Sequence, residues 1–312
     1  MLRRRWFGVL VVALLLGLSL PYLALRRETR TLDDAAREAR GGSYVELEDG
    51  VTHYELLGPA EGKVIVLIHG GTVPMFAWDA QVPSLVDAGY RVLRYTQYGR
   101  GYSDRPALRY DRALYQRQLS NLLDALGIDG TVTLFGLSFG AATAATFAAE
   151  NPHRVERLVF IAPVVDYGES RAVLSLAKMP LLGEWFLRVF GIRGVVARAT
   201  GFFERANAPP RYAAWFDEQT RIEGFERALL SFTRTDALES YVQTYAALGP
   251  QPKLLIWGAD DREIPRKQVE LLRTTLSNLR YEEIEGAGHG VSVERQSEVN
   301  RYIESFMQTA RP

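Results

Sequence analysis

The sequence contains no cysteine in its 312 residues, and its 37 basic residues balance its 37 acidic ones. The lack of thiols excludes disulfides, thiolate catalysis and iron–sulfur or zinc–thiolate sites. A net charge of zero gives no basic surface for nucleic acid, so we expect no such partner. Hydrophobic residues make up 47% of the chain, which is long enough to form either one large α/β domain or one domain carrying an insertion.

The N-terminus combines basic residues with an uncharged stretch. Arg3, Arg4 and Arg5 precede a mostly apolar run from Trp6 to Leu25, and further arginines follow it. A helix of that length would cross the roughly 30 Å of bilayer hydrocarbon. The sequence therefore predicts a single-pass membrane anchor at 1–25 and a linker at 26–42. A cleaved signal peptide is the alternative, but the run ends without a good small-residue cleavage site.

Arginines flank this run on both sides, so the orientation of the predicted anchor is open. The short basic tail favours an N-terminus in the cytoplasm, whereas the downstream arginines favour the opposite. We expect the catalytic domain on the non-cytoplasmic side of the membrane.

Strand-like and helix-like segments alternate after residue 42. Tyr44–Glu48 and Thr52–Leu57 surround the turn Asp49-Gly50, which predicts a hairpin. The later strand-like runs are continuous and apolar, as in strands buried on both faces: Val64–Ile68, Arg91–Tyr95, Val132–Phe135, Leu158–Ala162 and Leu254–Trp257. Helical stretches lie between them. The pattern predicts an α/β fold with a mostly parallel sheet and helices on both faces.

One long interval lacks any strand-like run. Residues 167–248 show only helical patterning, which predicts a helical cap inserted into a core of 43–166 and 249–312. The apolar residues of Leu182–Phe190 fit one helix face. This face would either pack on the sheet domain or line a hydrophobic substrate site.

The segment Gly136-Leu137-Ser138-Phe139-Gly140 joins a predicted strand to a predicted helix. A sharp turn of this kind exposes the serine hydroxyl, and flanking glycines avoid Cβ clashes. The pattern indicates a nucleophile. A glycine-rich turn in any doubly wound sheet is the alternative.

A serine nucleophile needs a base and a group that orients the base. Of the four histidines, His53 and His153 are expected to be packing or surface residues, and His69 a loop former. His289 lies in Gly286-Ala287-Gly288-His289-Gly290, a loop after the last strand-like segment, and is the predicted base. These glycines also resemble a dinucleotide loop, but too few residues follow for that motif.

The orienting carboxylate is expected after another strand. Asp260 and Asp261 both follow Leu254–Trp257, and we predict Asp261 as the acid and Asp260 as a turn former. Asp166 is a less favoured alternative. Backbone amides suit an oxyanion hole because they need no reorganisation, and Phe139 and Gly71 are the predicted donors.

These motifs together resemble the α/β-hydrolase superfamily, in its capped form, from about Ser43 to the C-terminus. They are listed here as they stand: His69-Gly70-Gly71, Tyr98-Gly99-Arg100-Gly101-Tyr102-Ser103, Gly136–Gly140, Gly258-Ala259-Asp260-Asp261 and Gly286–His289. The resemblance implies Ser138 as nucleophile, His289 as base, Asp261 as acid, and the amides of Gly71 and Phe139 as oxyanion hole. Thr96 and Ala141 depart from the family pattern at structural positions.

The anchor and the segment Met179–Phe186 look most like the monoacylglycerol-lipase and lysophospholipase-like branch. We therefore expect a membrane-anchored serine hydrolase that cleaves esters of lipophilic acyl groups through an acyl-enzyme, without cofactor or metal. The alternative is a C–C bond hydrolase or lactonase acting on small ring-cleavage products, which shares the triad and cap. A binding module on the same fold is disfavoured, because no catalytic residue is missing. The oligomeric state stays open.

Overall fold

The central element is an eight-stranded sheet with the strand order β1-β2-β4-β3-β5-β6-β7-β8. The structure is a computed structural model that describes residues 2–167 and 171–309. Its strands are β1 (Ser43–Leu47), β2 (Gly50–Leu57), β3 (Val64–Ile68), β4 (Arg91–Tyr95), β5 (Val132–Leu137), β6 (Val155–Ile161), β7 (Lys253–Gly258) and β8 (Leu279–Ile284).

Most of the sheet is parallel. The hairpin β1–β2 is antiparallel, and β2 also pairs antiparallel with β4. All remaining neighbours pair in parallel. The prediction of a mostly parallel α/β sheet with an antiparallel edge hairpin is confirmed. A parallel sheet collects the carboxyl ends of its strands at one edge, where the loops can form a site.

Helices cover both faces of the sheet. Because side chains alternate along a strand, Val66 and Ile68 of β3 pack into one core cluster while Ile65 and Leu67 pack into the other. The helices that flank the sheet are α3 (Val82–Asp87), α4 (Arg112–Ala125), α5 (Phe139–Glu150), α12 (Arg266–Thr275), α13 (Val291–Glu294) and α14 (Gln296–Gln308).

The segment between β6 and β7 is helical wherever it has regular structure in the described ranges. It contains α6 (Arg171–Lys178), α7 (Leu182–Phe186), a π-helical turn (Leu187–Gly191), α8 (Ile192–Arg205), α9 (Arg211–Gln219), α10 (Phe225–Thr233) and α11 (Val242–Ala246). These helices occupy the range predicted for the cap, and the exact division into core and cap remains a prediction.

The range predicted as a linker is partly folded onto the domain. It contains α2 (Asp34–Arg40), capped by the Asp33 side chain, which accepts from the Ala36 amide at 2.9 Å. Arg27 pairs with Asp217 of α9, so ion pairing joins this segment to the inserted helices.

The first helix, α1, covers Leu2–Ala24 and so contains most of the predicted membrane anchor. Of the helices in the described ranges, none combines the length and the apolar character that crossing a membrane requires. The prediction of a membrane-spanning anchor, a membrane partner and a catalytic domain on the non-cytoplasmic side is therefore wrong. The prediction counted uncharged residues, and an uncharged run is not necessarily apolar enough to cross a bilayer. In the structure, the Trp185 indole donates to the Leu18 carbonyl at 2.8 Å, and the Arg188 guanidinium lies 3.9 Å from the Tyr22 ring centroid.

The tight packing around Gly140 predicts that a larger residue there destabilises the protein. A Cβ at this position would lie 2.1 Å from the Ile68 carbonyl oxygen, a backbone atom that has little room to move. We expect Gly140→Ala to lower the free energy of unfolding by about 1–3 kcal/mol, measured by urea denaturation. Gly130→Ala is the matched control, because nothing lies within 4 Å of its Cβ position. Equal stability of the two variants would contradict this account of the turn.

Candidate active site

Ser138 occupies a strained turn between β5 and α5. Its backbone has φ 53° and ψ −116°, in the left-handed range that residues with a side chain rarely adopt. Gly136 and Gly140 allow the turn, since a Cβ on Gly136 would lie 2.3 Å from the Ala141 Cα. The Ser138 amide donates to the Ile161 carbonyl of β6 at 2.9 Å, which ties the turn to the sheet.

A series of hydrogen bonds connects Ser138, His289 and Asp261. The Ser138 Oγ lies 3.1 Å from the His289 Nε2, and the His289 Nδ1 lies 2.8 Å from the Asp261 Oδ2. Asp261 follows β7 and His289 follows β8, so parallel pairing of the strands brings all three side chains to one edge of the sheet. The structure thus places the three predicted residues in contact, in the order that a serine triad requires.

Asp261 is held in place by its own loop. Its Oδ1 accepts the amides of Glu263 at 2.7 Å and Ile264 at 2.9 Å, and its side chain is fully buried. The Oδ2 thereby faces His289. A carboxylate facing Nδ1 places the imidazole proton there, which leaves Nε2 to accept the serine proton.

The other two acidic candidates have different surroundings. Asp260 is exposed, and its amide donates to the Ala287 carbonyl at 2.9 Å, which fits the predicted turn former. Asp166 follows β6, and its amide donates to the Gln268 Oε1 at 3.0 Å. The carboxylate oxygen 2.8 Å from the His289 Nδ1 belongs to Asp261.

The pKa of His289 reflects opposing effects. Burial acts to lower it, but the hydrogen bond to Asp261 and the negative charges of Glu263 and Asp261 outweigh burial, so the pKa is raised above its ordinary value. Glu263 was not among the predicted site residues. Its Oε2 lies 3.5 Å from the His289 Nε2. In the sequence, only its position two residues after Asp261 could have indicated that Glu263 lies near the site.

The loop after β3 lies directly beside the serine. A Cβ on Gly70 would be 3.5 Å from the Ser138 Cβ, and one on Gly71 would be 3.7 Å from the Phe139 Cβ. Phe139 begins α5, so its amide is one of those that a helix leaves without an internal acceptor. The amides predicted for the oxyanion hole therefore belong to neighbouring backbone segments beside Ser138.

Two buried side chains support this loop. His69 accepts the Gln97 amide at Nε2 and bonds the Gly70 carbonyl through Nδ1 at 2.7 Å, and burial lowers the pKa of His69 to about 3. Arg100 is fully buried, and its Nε donates to the Gly71 carbonyl at 2.6 Å. Arg100 belongs to one of the motifs noted in the sequence, but no role was predicted for it because a sequence does not show burial.

Aromatic side chains of the inserted helices lie over the site. Phe202 of α8 contacts Gly290, next to His289, and Phe232 of α10 lies against Gly71 and Phe139. Neither residue was predicted. Trp185, from the apolar segment 182–190, instead bonds α1, and Phe190 is 56% exposed. Within the described residues, no group of three or more acidic or histidine side chains is placed to hold a metal ion.

The strand order, the strained turn at Ser138 and the hydrogen-bonded series define a fold of the α/β-hydrolase class. The chain belongs to the alpha/beta hydrolase family, which it matches over residues 65–302.

Curated relatives and solved structures agree with this assignment. The chain is 27% identical over 279 residues to a 2-hydroxy-6-oxo-6-phenylhexa-2,4-dienoate hydrolase of Comamonas testosteroni, covering 85% of this chain and 94% of that one. It is 26% identical over 272 residues to a cis-3-alkyl-4-alkyloxetan-2-one decarboxylase of Xanthomonas campestris pv. campestris, covering 80% and 90%. A bromoperoxidase from Bacillus anthracis shares the fold, with a TM-score of 0.73 at 23% identity, covering 85% of this chain and all of that one.

The raised pKa of His289 predicts the pH dependence of activity. A protonated His289 cannot accept the serine proton, so kcat/KM falls as the pH drops through the pKa of His289. Because this pKa is raised, the fall begins at a higher pH than for an ordinary histidine. Asp261→Asn removes two of the effects that raise the pKa. We expect this acid limb to move to lower pH and kcat to fall by roughly 10²–10⁴-fold. Asp260→Asn is the matched control and should leave the pH profile unchanged. The assignment of the acid would be wrong if the two variants exchanged these behaviours.

Proposed function

We propose that this protein is a serine hydrolase that cleaves a C–C bond or a lactone of a small ring-cleavage product through an acyl-enzyme. The observation that carries the proposal is the series Ser138–His289–Asp261, with Oγ–Nε2 and Nδ1–Oδ2 distances of 3.1 and 2.8 Å. Both distances lie within hydrogen-bond reach for a nucleophile and its base.

The first half of the reaction forms the acyl-enzyme. His289 takes the Ser138 proton as Oγ attacks the substrate carbonyl, and the amides of Gly71 and Phe139 stabilise the tetrahedral oxyanion. The intermediate then breaks its bond to the leaving group, which takes the proton from the His289 Nε2. In the second half, His289 activates water, which attacks the acyl-serine and releases the acid.

A carbon leaving group requires a place for its electron pair. In a 2-hydroxy-6-oxo-dienoate, the 6-oxo group is the electrophile, but C5 is an alkene carbon, so the 2-enol first becomes the 2-keto form as its hydroxyl loses a proton and C5 gains one. Breaking the C5–C6 bond then leaves a C5 carbanion whose electron pair is delocalised through C3–C4 onto the 2-oxo oxygen, and this dienolate oxygen is protonated. The net change is the addition of one water across that bond. The Comamonas relative is named for such a compound, and this supports the C–C alternative.

A lactone would react through the same steps, but its alkoxide leaving group stays attached to the acyl half. The Xanthomonas relative is named for an oxetan-2-one, which is a four-membered cyclic ester. A strained carbonyl of this kind is attacked at the same serine, which is why we keep lactones within the proposal.

Hydrolysis of lipophilic esters, as in the lipase-like branch, is the weaker candidate. It depended on the membrane anchor, which the structure contradicts, and on the segment Met179–Phe186. In that segment, Trp185 bonds α1, whereas Phe202 and Phe232 lie at the serine turn and its glycine loop. The Comamonas relative is named for a keto-dienoate and the Xanthomonas relative for a cyclic ester, so neither is named for an open-chain acyl ester.

A substrate panel tests the proposal. The full chain is assayed with 2-hydroxy-6-oxo-6-phenylhexa-2,4-dienoate, a β-lactone and p-nitrophenyl esters from acetate to decanoate. We expect the highest kcat/KM for the dienoate or the lactone, and no increase of the ester rates with chain length. Ser138→Ala should lower the rate by at least about 10³-fold.

The panel also separates the alternatives. Ester rates that rise with chain length and exceed the other two would favour the lipophilic ester reading instead. Turnover that survives Ser138→Ala unchanged would overturn the serine mechanism altogether.

A further inference from the structure

Glu263 contacts the same imidazole nitrogen that faces the nucleophile. Its Oε2 lies 3.5 Å from the His289 Nε2, while the Ser138 Oγ lies 3.1 Å from that atom. A serine triad has one carboxylate, at Nδ1, and here a second carboxylate lies beside the reacting nitrogen. The Glu263 amide bonds Asp261 at 2.7 Å, so the backbone that carries this carboxylate is fixed by the triad itself.

Arg198 holds the Glu263 carboxylate from the other side. Its Nε lies 3.0 Å from the Glu263 Oε1, and its Nη2 contacts Oε2, which makes the pair bidentate. Arg198 belongs to α8, within the inserted helices, whereas Glu263 lies in the loop after β7. This ion pair therefore joins the inserted helices to the group beside the base.

We propose that Glu263 is a positioning residue that sets the basicity of His289, and that Arg198 controls how strongly it does so. The inference rests on the proposed role of His289 as the base. When Ser138 gives up its proton, the imidazolium that forms carries N–H at Nε2, and the negative charge of Glu263 stabilises it. Arg198 opposes this effect because its positive charge offsets that of the carboxylate.

The charged groups around His289 agree with these signs. Asp261 and Glu263 raise the pKa of His289 against the effect of burial, and Arg198 lowers it. Glu294 of α13 lies nearby, but its Oε2 accepts the Gly288 amide at 2.6 Å. Tyr167 interacts electrostatically with Arg198 and Glu263, but burial raises the pKa of Tyr167 far above neutral pH, so it carries no charge there.

The test uses two measurements on the full chain. Imidazole resonances are titrated by NMR, with the His289 signal assigned from a His289→Gln variant, and the rate of labelling by a fluorophosphonate is followed against pH. Glu263→Gln should lower the pKa of His289 by at least about half a pH unit, since it removes a nearby negative charge. At a pH on the acid limb, labelling should become faster, by up to about threefold, because more His289 is neutral.

Above the limb, labelling of Glu263→Gln should become slower, because the base is weaker and the imidazolium is less stabilised. This change of sign is a signature that partial misfolding would not produce. Arg198→Gln should move the pKa in the opposite direction, upward. Glu283→Gln is the matched control: it also removes a carboxylate paired with an arginine, Arg266, and should leave the titration of His289 unchanged.

The outcomes distinguish this inference from the proposed function. An unlabelled Ser138 in the unmodified chain would overturn the function. Normal labelling with an unchanged His289 pKa in Glu263→Gln would overturn only the role of Glu263. An unchanged or lowered pKa in Arg198→Gln would overturn the role of Arg198.

Discussion

The left-handed backbone at Ser138 is the constraint on which the site depends. At φ 53°, the turn between β5 and α5 points the hydroxyl out of the sheet edge. It also starts the helix at Phe139, whose amide has no acceptor within the helix. Such a conformation costs about 1–3 kcal/mol and persists only where its surroundings require it. Here the requirement comes from tight packing on both sides, where Gly136 and Gly140 leave no space for a Cβ.

The sheet positions the other residues of the site beside this turn. Parallel pairing of β5, β6, β7 and β8 aligns the loops that carry Ser138, Asp261 and His289, although these residues are far apart in sequence. The inserted helices add what the sheet cannot. Phe202 and Phe232 supply apolar surface at the site, and Arg198 pairs with Glu263, so both parts of the chain contribute groups to it.

The sequence predicts those strands and site residues that a single clear local pattern marks. The bounds of β3 and β4 were predicted as they stand. β3 is a continuous apolar run, which marks a strand buried on both faces, whereas β4 carries Arg91 and Arg94 among its apolar residues. β6 begins three residues earlier than predicted. The prediction left out Glu156 and Arg157 because they are charged, but both lie in the strand, and Arg157 pairs with Thr133 of β5. The three triad positions were named from loops that follow strands, and the structure places them within hydrogen-bond reach.

What the sequence could not supply are contacts between distant segments. The proximity of Glu263 to the Nε2 of His289, the burial of Arg100 against Gly71 and the docking of α1 on Trp185 all depend on tertiary geometry. The membrane prediction failed for another reason: it counted uncharged residues, and none of the helices in the described ranges is both long and apolar enough to cross a membrane.

The most direct test of the central claim is to locate the covalent adduct of a fluorophosphonate by intact-mass and peptide mass spectrometry. The account predicts a single adduct, on Ser138, that is absent in His289→Gln under the same conditions. An adduct on another residue, or labelling of Ser138 that does not depend on His289, would contradict it.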